Sequence, residues 1–217
     1  MEIINFDEHP SLVSNYMAEL RDTVVQRDRI RFRENLRRIG QIMAYEISKQ
    51  VDYQDVDITT PLGTAKCKIT SERMVLATIL RAGLPFHEGF LSYIDRAENA
   101  FVSAYRKFRK DTDEFDIHIE YMASPRLDGK TLILVDPMLA TGSSMELAYQ
   151  ALLTKGKPKK IHLASVVASK QAVDFISKHF PENTTLWVGA IDPELNAHSY
   201  IVPGLGDAGD LAYGEKE

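Results

Sequence analysis

The sequence predicts an α/β fold with a mostly parallel central sheet flanked by helices, an N-terminal helical segment and a small β-hairpin or arm. Short apolar runs such as TLILV and IHLASVV alternate with amphipathic stretches of helical length. That alternation is typical of buried parallel strands joined by crossover helices. The chain has 217 residues, of which 44% are hydrophobic, and this is enough apolar material for the core of one domain.

The first fifth of the chain is predicted to be helical. In RFRENLRRIGQIMAYEIS, apolar residues recur at three- and four-residue steps from Leu36 to Ile47, with charged residues between them. This spacing predicts an amphipathic helix within an N-terminal segment of about residues 1–50. The following stretch, VDITTPLGTAKCKI, has two β-prone runs around a Pro-Leu-Gly turn, which predicts a hairpin.

After the hairpin, strands and helices alternate. The runs RMVLATIL, AFVSAYR, TLILVD, IHLASVVAS and TLWVGAI predict strands. The runs PFHEGFLSYI, SSMELAYQALLTK and KQAVDFISKHF predict helices, the second of which stops at Gly156. Ligands of open α/β sheets bind at the carboxyl ends of the strands. The residues directly after each strand are therefore the candidate site.

Composition narrows the function classes. The formal net charge is −5, which argues against nonspecific binding to nucleic acid or membranes. The single cysteine, Cys67, excludes an intramolecular disulfide and a multi-cysteine zinc site. No signal-like apolar run follows Met1, and no run reaches membrane-spanning length. We expect a soluble cytoplasmic protein with no nucleic-acid or membrane partner.

The run after the TLILV strand has the features of an anion-binding turn. Asp136 closes the strand, and Thr141-Gly142-Ser143-Ser144 leads into the next helix. Backbone N–H groups at a helix start, with nearby hydroxyls, bind a phosphomonoester, and Asp136 could accept hydrogen bonds from ribose hydroxyls. The Gly-Lys-Ser/Thr of a Walker A loop is absent. A helix cap on Ser143 beside a solvated Asp136 is the open alternative.

Two arginines also follow predicted strands. Arg81 comes after MVLATIL, and Arg106 comes after AFVSAY. Guanidinium groups bind phosphate in a bidentate manner, so an arginine at each of two strand ends indicates a polyanion above the sheet. The alternative is that both are ordinary surface arginines.

Near its C-terminus the chain contains GLGDAG, a formal match to the dinucleotide-binding G-x-G-x-x-G pattern. That pattern functions between a strand and a helix of a βαβ unit, with an acidic residue about 20 positions later. Only the eight residues from Asp210 to Glu217 follow Gly209, which is too few. The glycines must serve another purpose, and a flexible tail is one alternative.

A family resemblance supplies that purpose. LILVDPMLATGSS resembles the phosphoribosyl-pyrophosphate (PRPP) signature of the type I phosphoribosyltransferases. Most members have two adjacent acidic residues there, and this chain has Pro137 at the second place. That difference, together with ILRAG and YIVPGLGDAGD, is similar to the uracil phosphoribosyltransferase family. The likeness runs from about Phe32 to Tyr213.

The resemblance implies residue roles. Four residues are implied to be catalytic: Arg81, Arg106, Asp136 and Asp207. The ribose 5-phosphate is held by residues 136–144, the pyrophosphate by the two arginines, and the uracil by residues 201–208, largely through main-chain atoms. The implied substrate-binding set is Arg81, Arg106, Asp136, Pro137, Met138, Leu139, Ala140, Thr141, Gly142, Ser143, Ser144, Ile201, Gly206, Asp207 and Ala208.

The resemblance also implies the activity and the organisation of the chain. It implies a glycosyltransferase of pyrimidine salvage that converts uracil and PRPP to UMP and diphosphate. One domain spans residues 1–217, with a mobile arm at about 106–130 and a base-binding segment at 192–217. Magnesium is expected mainly through PRPP and water, with Asp207 as the nearby protein group. GTP is a candidate activator, and a homo-oligomer, dimer or higher, is expected.

Two other readings of the same residues stay open. One is a pyrimidine-responsive regulator that reuses the fold to bind RNA. The other is a PRPP-binding scaffold without catalysis, because the acidic and threonine pattern that the family carries after the arginine of the arm does not appear cleanly here. The same departure leaves arm closure and effector response open.

The histidines carry no partner signature for a metal or a nucleophile. We interpret His162 as strand packing and consider His198, near the base loop, a candidate for a direct role. Cys67 lies in the predicted hairpin and is interpreted as structural. The histidines considered are His87, His118, His162, His179 and His198.

Overall fold

The computed structural model describes residues 1–108 and 115–215, with only the backbone described for 104–108 and 115–119. Its helices are α1 (Leu12–Arg21), α2 (Arg29–Ser48), α3 (Gly83–Leu91), α4 (Ser143–Leu153), α5 (Lys170–His179) and α6 (Ala208–Tyr213). Its strands are β1 (Glu2–Asn5), β2 (Tyr53–Thr60), β3 (Gly63–Thr70), β4 (Met74–Leu80), β5 (Glu98–Phe108), β6 (Phe115–Ala123), β7 (Thr131–Val135), β8 (Met138–Leu139), β9 (Lys160–Ser169), β10 (Thr184–Asp192), β11 (Glu194–Leu195) and β12 (Ile201–Val202).

Eight of the described strands form the central sheet, in the order β1-β10-β9-β7-β4-β5-β6 with β8 beside β9. All neighbouring pairs are parallel except β5 and β6, which are antiparallel. The predicted mostly parallel sheet is therefore confirmed. Its carboxyl ends bring the loops after β4, β7, β9 and β10 to one edge of the sheet, where ligands of such folds bind.

Helices cover both faces of the sheet, which explains why the central strands are apolar throughout. In β7, Ile133 and Val135 pack into the core cluster beneath α1, α2 and α3, whereas Leu132 and Leu134 pack into the cluster beneath α4 and α5. All four side chains are fully buried. Successive strand residues face opposite sides, so a strand between two helical layers needs apolar residues at every position.

The N-terminal segment is helical as predicted from Leu12 to Arg21 and from Arg29 to Ser48, but it begins with a strand. Strand β1 pairs in parallel with β10 at the edge of the sheet. Asp28 caps α2, since its carboxylate accepts hydrogen bonds from the N–H groups of Ile30 and Arg31 at 2.9 and 3.1 Å. The predicted helix before Gly156 runs to Lys155, and α4 ends two residues earlier, at Leu153.

The predicted hairpin is confirmed as a separate two-stranded sheet, β2 paired with β3. The register places five apolar residues on one of its faces. Ile58 and Ile69 on this face are 43% and 40% exposed. We call this surface the hairpin apolar face; it comprises Val56, Ile58, Ala65, Cys67 and Ile69.

The predicted arm at about residues 106–130 overlaps the end of β5 and the whole of β6. These strands pair antiparallel up to Phe108 and Phe115, and residues 109–114 lie outside the described residues. The mobility of the arm stays a prediction. None of the described helices is long and apolar enough to cross a membrane.

Candidate active site

A cleft of about 670 Å³ opens at the carboxyl edge of the sheet. Most of its lining comes from three segments: the end of β4, the loop after β7 with the start of α4, and the C-terminal segment around β12 and α6. One residue each of β5 and β6 completes it. The cleft brings together these predicted site residues: Arg81, Asp136, Met138, Leu139, Ala140, Thr141, Gly142, Ser144, Ile201, Gly206, Asp207 and Ala208. Pro137 and Ser143 do not line it.

The turn into α4 contains a position whose backbone conformation and close surroundings favour glycine. Gly142 is the N-cap residue, with a φ of 85° and no side-chain cap. A Cβ there would lie 2.7 Å from the Phe175 ring, and a positive φ strains other residues. The Ser143 N–H donates to Thr141 Oγ1 at 3.4 Å. The alternative of a helix cap on Ser143 is therefore wrong, because Ser143 is already inside the helix.

Asp136 sits below this turn and is 9% exposed, so a solvated Asp136 is also ruled out. Its Oδ1 accepts a hydrogen bond from the Met138 N–H at 3.2 Å. The carbonyl of Pro137 accepts from the N–H groups of Val166 and Val167 at 3.1 and 3.0 Å. These bonds tie the loop to β9, which gives the carboxylate a fixed position at the floor of the cleft.

Arg81 follows β4 and crosses the cleft to the C-terminal segment. Its Nη2 donates to Asp210 Oδ1 at 3.1 Å and to the Gly214 carbonyl at 3.3 Å. Its side chain is 39% exposed, so it is a partly buried link between two segments and not an ordinary surface arginine. Arg106 lies on β5, and its side chain falls outside the part of the chain that the structure describes.

The C-terminal segment is ordered, so the flexible-tail alternative is wrong for the described residues. Ile201 and Ala208 are 4% and 2% exposed. Asp207 caps α6, since its Oδ1 accepts from the Asp210 N–H at 3.0 Å. Gly206 has a φ of 94°, although its missing Cβ would be no closer than 3.6 Å to any neighbour. A backbone conformation, and not a crowded side-chain position, requires glycine there.

Sequence reasoning missed several residues that line the cleft: Ala82, Ser103, Glu120, Met145, Ser199, Tyr200 and Gly209. Tyr200 is the first residue of the YIVPGLGD motif, and its place in the motif could have indicated that it lines the cleft. Ser103 reaches the cleft because β5 pairs in parallel with β4, which places it opposite Leu80. Glu120 reaches it because β6 pairs antiparallel with β5. No local sequence pattern reports either pairing.

None of the histidines whose side chains the structure describes lines the cleft. His162 Nδ1 accepts a hydrogen bond from Trp187 Nε1 at 3.1 Å, and burial lowers the pKa of His162 to about 4. Its interpretation as strand packing is confirmed. His87 is buried, which lowers its pKa, and His179 is exposed and stacks on a neighbouring ring. His198 is exposed and does not line the cleft, so its candidate direct role is not supported.

A second cavity, of about 420 Å³, lies at the opposite edge of the sheet. Both of its lysines contact neighbouring protein groups. Lys159 Nζ lies 3.2 Å from both Asp52 Oδ2 and Glu72 Oε1, and Lys160 Nζ donates to the Gln50 carbonyl at 2.9 Å. This cavity is therefore lined by structural ion pairs, and the carboxyl-edge cleft is the candidate active site. Within the described residues, no three His, Cys, Asp or Glu side chains are grouped to hold a metal ion.

The sheet, its carboxyl-edge loop after β7 and the cleft above them define a type I phosphoribosyltransferase. A family model described as uracil phosphoribosyltransferase matches residues 8–215, and the chain belongs to that family. A curated uracil phosphoribosyltransferase of Porphyromonas gingivalis is 63% identical over 216 residues, covering 100% of each chain.

More distant relatives also match nearly the whole chain. A uracil phosphoribosyltransferase of Methanococcus vannielii is 38% identical, over 98% of this chain and 90% of the relative. The solved structure of the AQ2163 protein from Aquifex aeolicus is 31% identical, with a TM-score of 0.87 over 98% of each chain. The fold is thus shared over nearly the whole length.

Proposed function

We propose that this chain transfers the phosphoribosyl group of PRPP to uracil, giving UMP and diphosphate, in pyrimidine salvage. The observation that carries the proposal is the meeting of two loops in one cleft: residues 136–144, suited to a ribose 5-phosphate, and residues 201–208, suited to a flat base. A sugar in the first and a base in the second have their reacting atoms side by side. The family membership supports the same assignment.

The reaction is a substitution at the anomeric carbon of PRPP, with oxocarbenium character in the transition state. The protein supplies no nucleophile. It holds the uracil nitrogen against C1, stabilises the charge that develops on departing diphosphate, and excludes water. Those requirements match a cleft that is lined by loops and by Arg81.

The phosphate end of PRPP binds at the start of α4. Thr141 and Ser144 supply hydroxyl groups, and the helix N-terminus supplies backbone N–H groups and the favourable end of its dipole. Asp136 accepts hydrogen bonds from the ribose hydroxyls, for which its buried and fixed carboxylate is suited.

Asp136→Asn should lower kcat/KM by roughly 10- to 150-fold while leaving the circular-dichroism spectrum unchanged. A hydrogen bond to a charged group is worth about 1.5–3 kcal/mol, and 1.4 kcal/mol corresponds to about tenfold. The asparagine still has an oxygen that can accept from the Met138 N–H, so the loop should keep its shape. Full activity in this variant would contradict the assignment.

Arg81 and Arg106 stabilise the diphosphate. In the structure Arg81 is paired with Asp210, so binding PRPP involves an exchange, or a sharing, of this guanidinium between the carboxylate and the pyrophosphate. Arg106 is assigned by the family resemblance.

Arg81→Ala should raise the KM for PRPP more than the KM for uracil, because the lost contacts are to the pyrophosphate. Arg81→Lys should restore only part of the loss, since an ammonium group cannot form the bidentate fork. Steady-state kinetics with each substrate varied in turn measure both constants. Equal effects on the two substrates, or a larger effect on uracil, would instead assign Arg81 to the base.

Magnesium accompanies PRPP in this proposal. Carboxylate oxygens are the ligands that Mg²⁺ prefers, and Asp136 and Asp207 both line the cleft. Pro137 stands where most related enzymes have a second carboxylate. PRPP and water would therefore supply most of the ligands of the ion, with Asp207 nearby. Its chemistry, when bound, is to neutralise the charge of the pyrophosphate.

We further propose a homo-oligomer. An isolated two-stranded hairpin is marginally stable in water, and the hairpin apolar face leaves Ile58 and Ile69 substantially exposed. A second copy of the chain would cover this face.

A cytoplasmic location and activation by GTP are proposed from the family resemblance. Titration of the initial rate with GTP tests the activation.

A nucleobase panel with PRPP and Mg²⁺, read by diphosphate release, tests the function directly. Release with uracil, and radiolabelled UMP from radiolabelled uracil, would support the enzyme. PRPP binding without product would instead support the scaffold alternative. RNA binding that responds to pyrimidine nucleotides, again without product, would support the regulator.

A further inference from the structure

A partly buried ion pair lies behind the C-terminal loop of the cleft. Arg21, the last residue of α1, and Asp192, the last residue of β10, meet in a bidentate geometry. The Nη1···Oδ2 and Nη2···Oδ1 distances are 2.8 and 2.7 Å. The Asp192 side chain is only 7% exposed. The bidentate contact holds the two side chains in one relative geometry.

The same two side chains bind both backbone polar groups of one residue in the loop, Gly204. Arg21 Nη1 also donates to the Gly204 carbonyl at 2.9 Å, and the Gly204 N–H donates to Asp192 Oδ2 at 2.8 Å. Gly204 has a φ of 57°, and a Cβ on it would lie 2.2 Å from the Ile201 carbonyl oxygen. The chain therefore makes a tight turn at the point where the ion pair grips it.

Gly204 lies in the middle of the segment proposed to hold the base. Ile201 precedes it by three residues, and Gly206 and Ala208 follow it by two and four; all three line the cleft. A displacement of Gly204 would move the main-chain groups on both sides of it. Neither Arg21 nor Asp192 lines the cleft, so any effect on the base passes through the loop.

The end of the neighbouring strand, β9, holds the loop of residues 136–144. Ser169, the register partner of Asp192 in the β9–β10 ladder, donates from its Oγ to the Ala140 carbonyl at 2.5 Å. It also accepts from the Ala172 N–H at 2.9 Å. Two adjacent strand ends thus anchor the phosphate loop and the base loop, so the sheet sets the distance between them.

We propose that Arg21 and Asp192 are positioning residues that fix the base loop relative to the phosphate loop. The inference rests on the proposed base site at residues 201–208. Reacting atoms must meet at about 3–3.5 Å, so a loop that drifts by a fraction of that distance loses productive base binding. The pair consequently acts on uracil and leaves PRPP binding nearly unchanged.

Two variants of Arg21 test the proposal. Arg21→Met removes the charge and all three hydrogen bonds, and Arg21→Lys keeps the charge but cannot make the bidentate pair. A matched control is Arg31→Met. Arg31 forms an equally short bidentate pair with Glu19 between α2 and α1, at 2.8 and 2.6 Å, and it does not line the cleft.

We expect Arg21→Met to raise the KM for uracil by about tenfold or more, with the KM for PRPP changed by less than about twofold. The KM of Arg21→Lys for uracil should lie between the values of Arg21→Met and of the parent chain. Arg31→Met should change neither KM. Thermal unfolding of each variant checks the fold. If Arg21→Met does not fold, Arg21→Lys and Asp192→Asn give the same comparison with milder changes.

The outcomes separate positioning from stability. A pair that only stabilises the fold would lower the active fraction, so kcat would fall with the KM for uracil unchanged; that result overturns the proposal. Gly206→Val is the reference for the base site, because valine at a φ of 94° distorts the loop itself. If Gly206→Val raises the uracil KM and the Arg21 variants do not, the positioning role is wrong and the base site stands. If Gly206→Val leaves it unchanged, the base site itself is wrong, and the positioning role falls with it.

Discussion

Cytosine should be used about 10⁴-fold less efficiently than uracil, measured as kcat/KM with PRPP saturating. Uracil presents an acceptor, a donor and an acceptor along O2, N3–H and O4. Main-chain N–H and C=O groups around Ile201, Gly206 and Ala208 can complement that edge without any side chain. Cytosine has an acceptor in place of the N3 donor and an amino group in place of O4, so two of the three groups would face like with like.

The size of the discrimination follows from burial. Each unpaired polar group in a site closed to water costs roughly 1–3 kcal/mol, and sites built to hydrogen-bond a substrate group reject analogues by about 10⁴-fold or more. Two of the three residues named for recognition, Ile201 and Ala208, are already only 4% and 2% exposed.

The matched control for this prediction is 5-fluorouracil. It keeps O2, N3–H and O4 and should be turned over, which shows that the discrimination lies in the hydrogen-bonding edge and not in the size of the ring. Comparable turnover of cytosine and uracil would mean that the glycines of PGLGDAGD serve something other than base recognition.

Removing the hydroxyls of Thr141 and Ser144 together should weaken PRPP binding by about 10²- to 10⁴-fold. Each hydrogen bond to a charged phosphate is worth roughly 1.5–3 kcal/mol, and two of them correspond to that range of affinity. Ser144 lies in the first turn of α4, and the turn conformation depends on Gly142, so the double alanine variant should keep the fold. Calorimetric titration with PRPP measures the loss.

The chain offers a control of the same composition. Thr154 and Ser177 donate from their hydroxyls to the carbonyls of Ala151 and Val173 at 2.7 and 2.8 Å, and neither lines the cleft. Their double alanine variant should bind PRPP as the parent chain does. Should the Thr141/Ser144 variant bind equally tightly, the phosphate site has been assigned to the wrong loop.

The central strands and their helices were predictable from sequence because their cause is local. A strand covered by helices on both sides must be apolar at consecutive positions, as Leu132 to Val135 are. The two candidate substrate loops could be proposed from sequence for a related reason, since each is a contiguous stretch whose residue types suit one task. Strand β1 was missed, because four residues at a sheet edge carry little periodicity and their pairing with β10 depends on the distant segment Thr185–Val188.

Contiguous residues were enough to predict the fold class, the hairpin and the family resemblance, and they carried the hypothesis of a phosphate loop. Tertiary structure alone decided how the loops are held. Arg21 and Asp192 are 171 residues apart in the chain, and Arg81 and Asp210 are 129 apart. An ion pair leaves no periodic pattern in either partner's neighbourhood. The pair forms only where the fold brings two distant segments of the chain together, and that placement is specified by the folded chain alone.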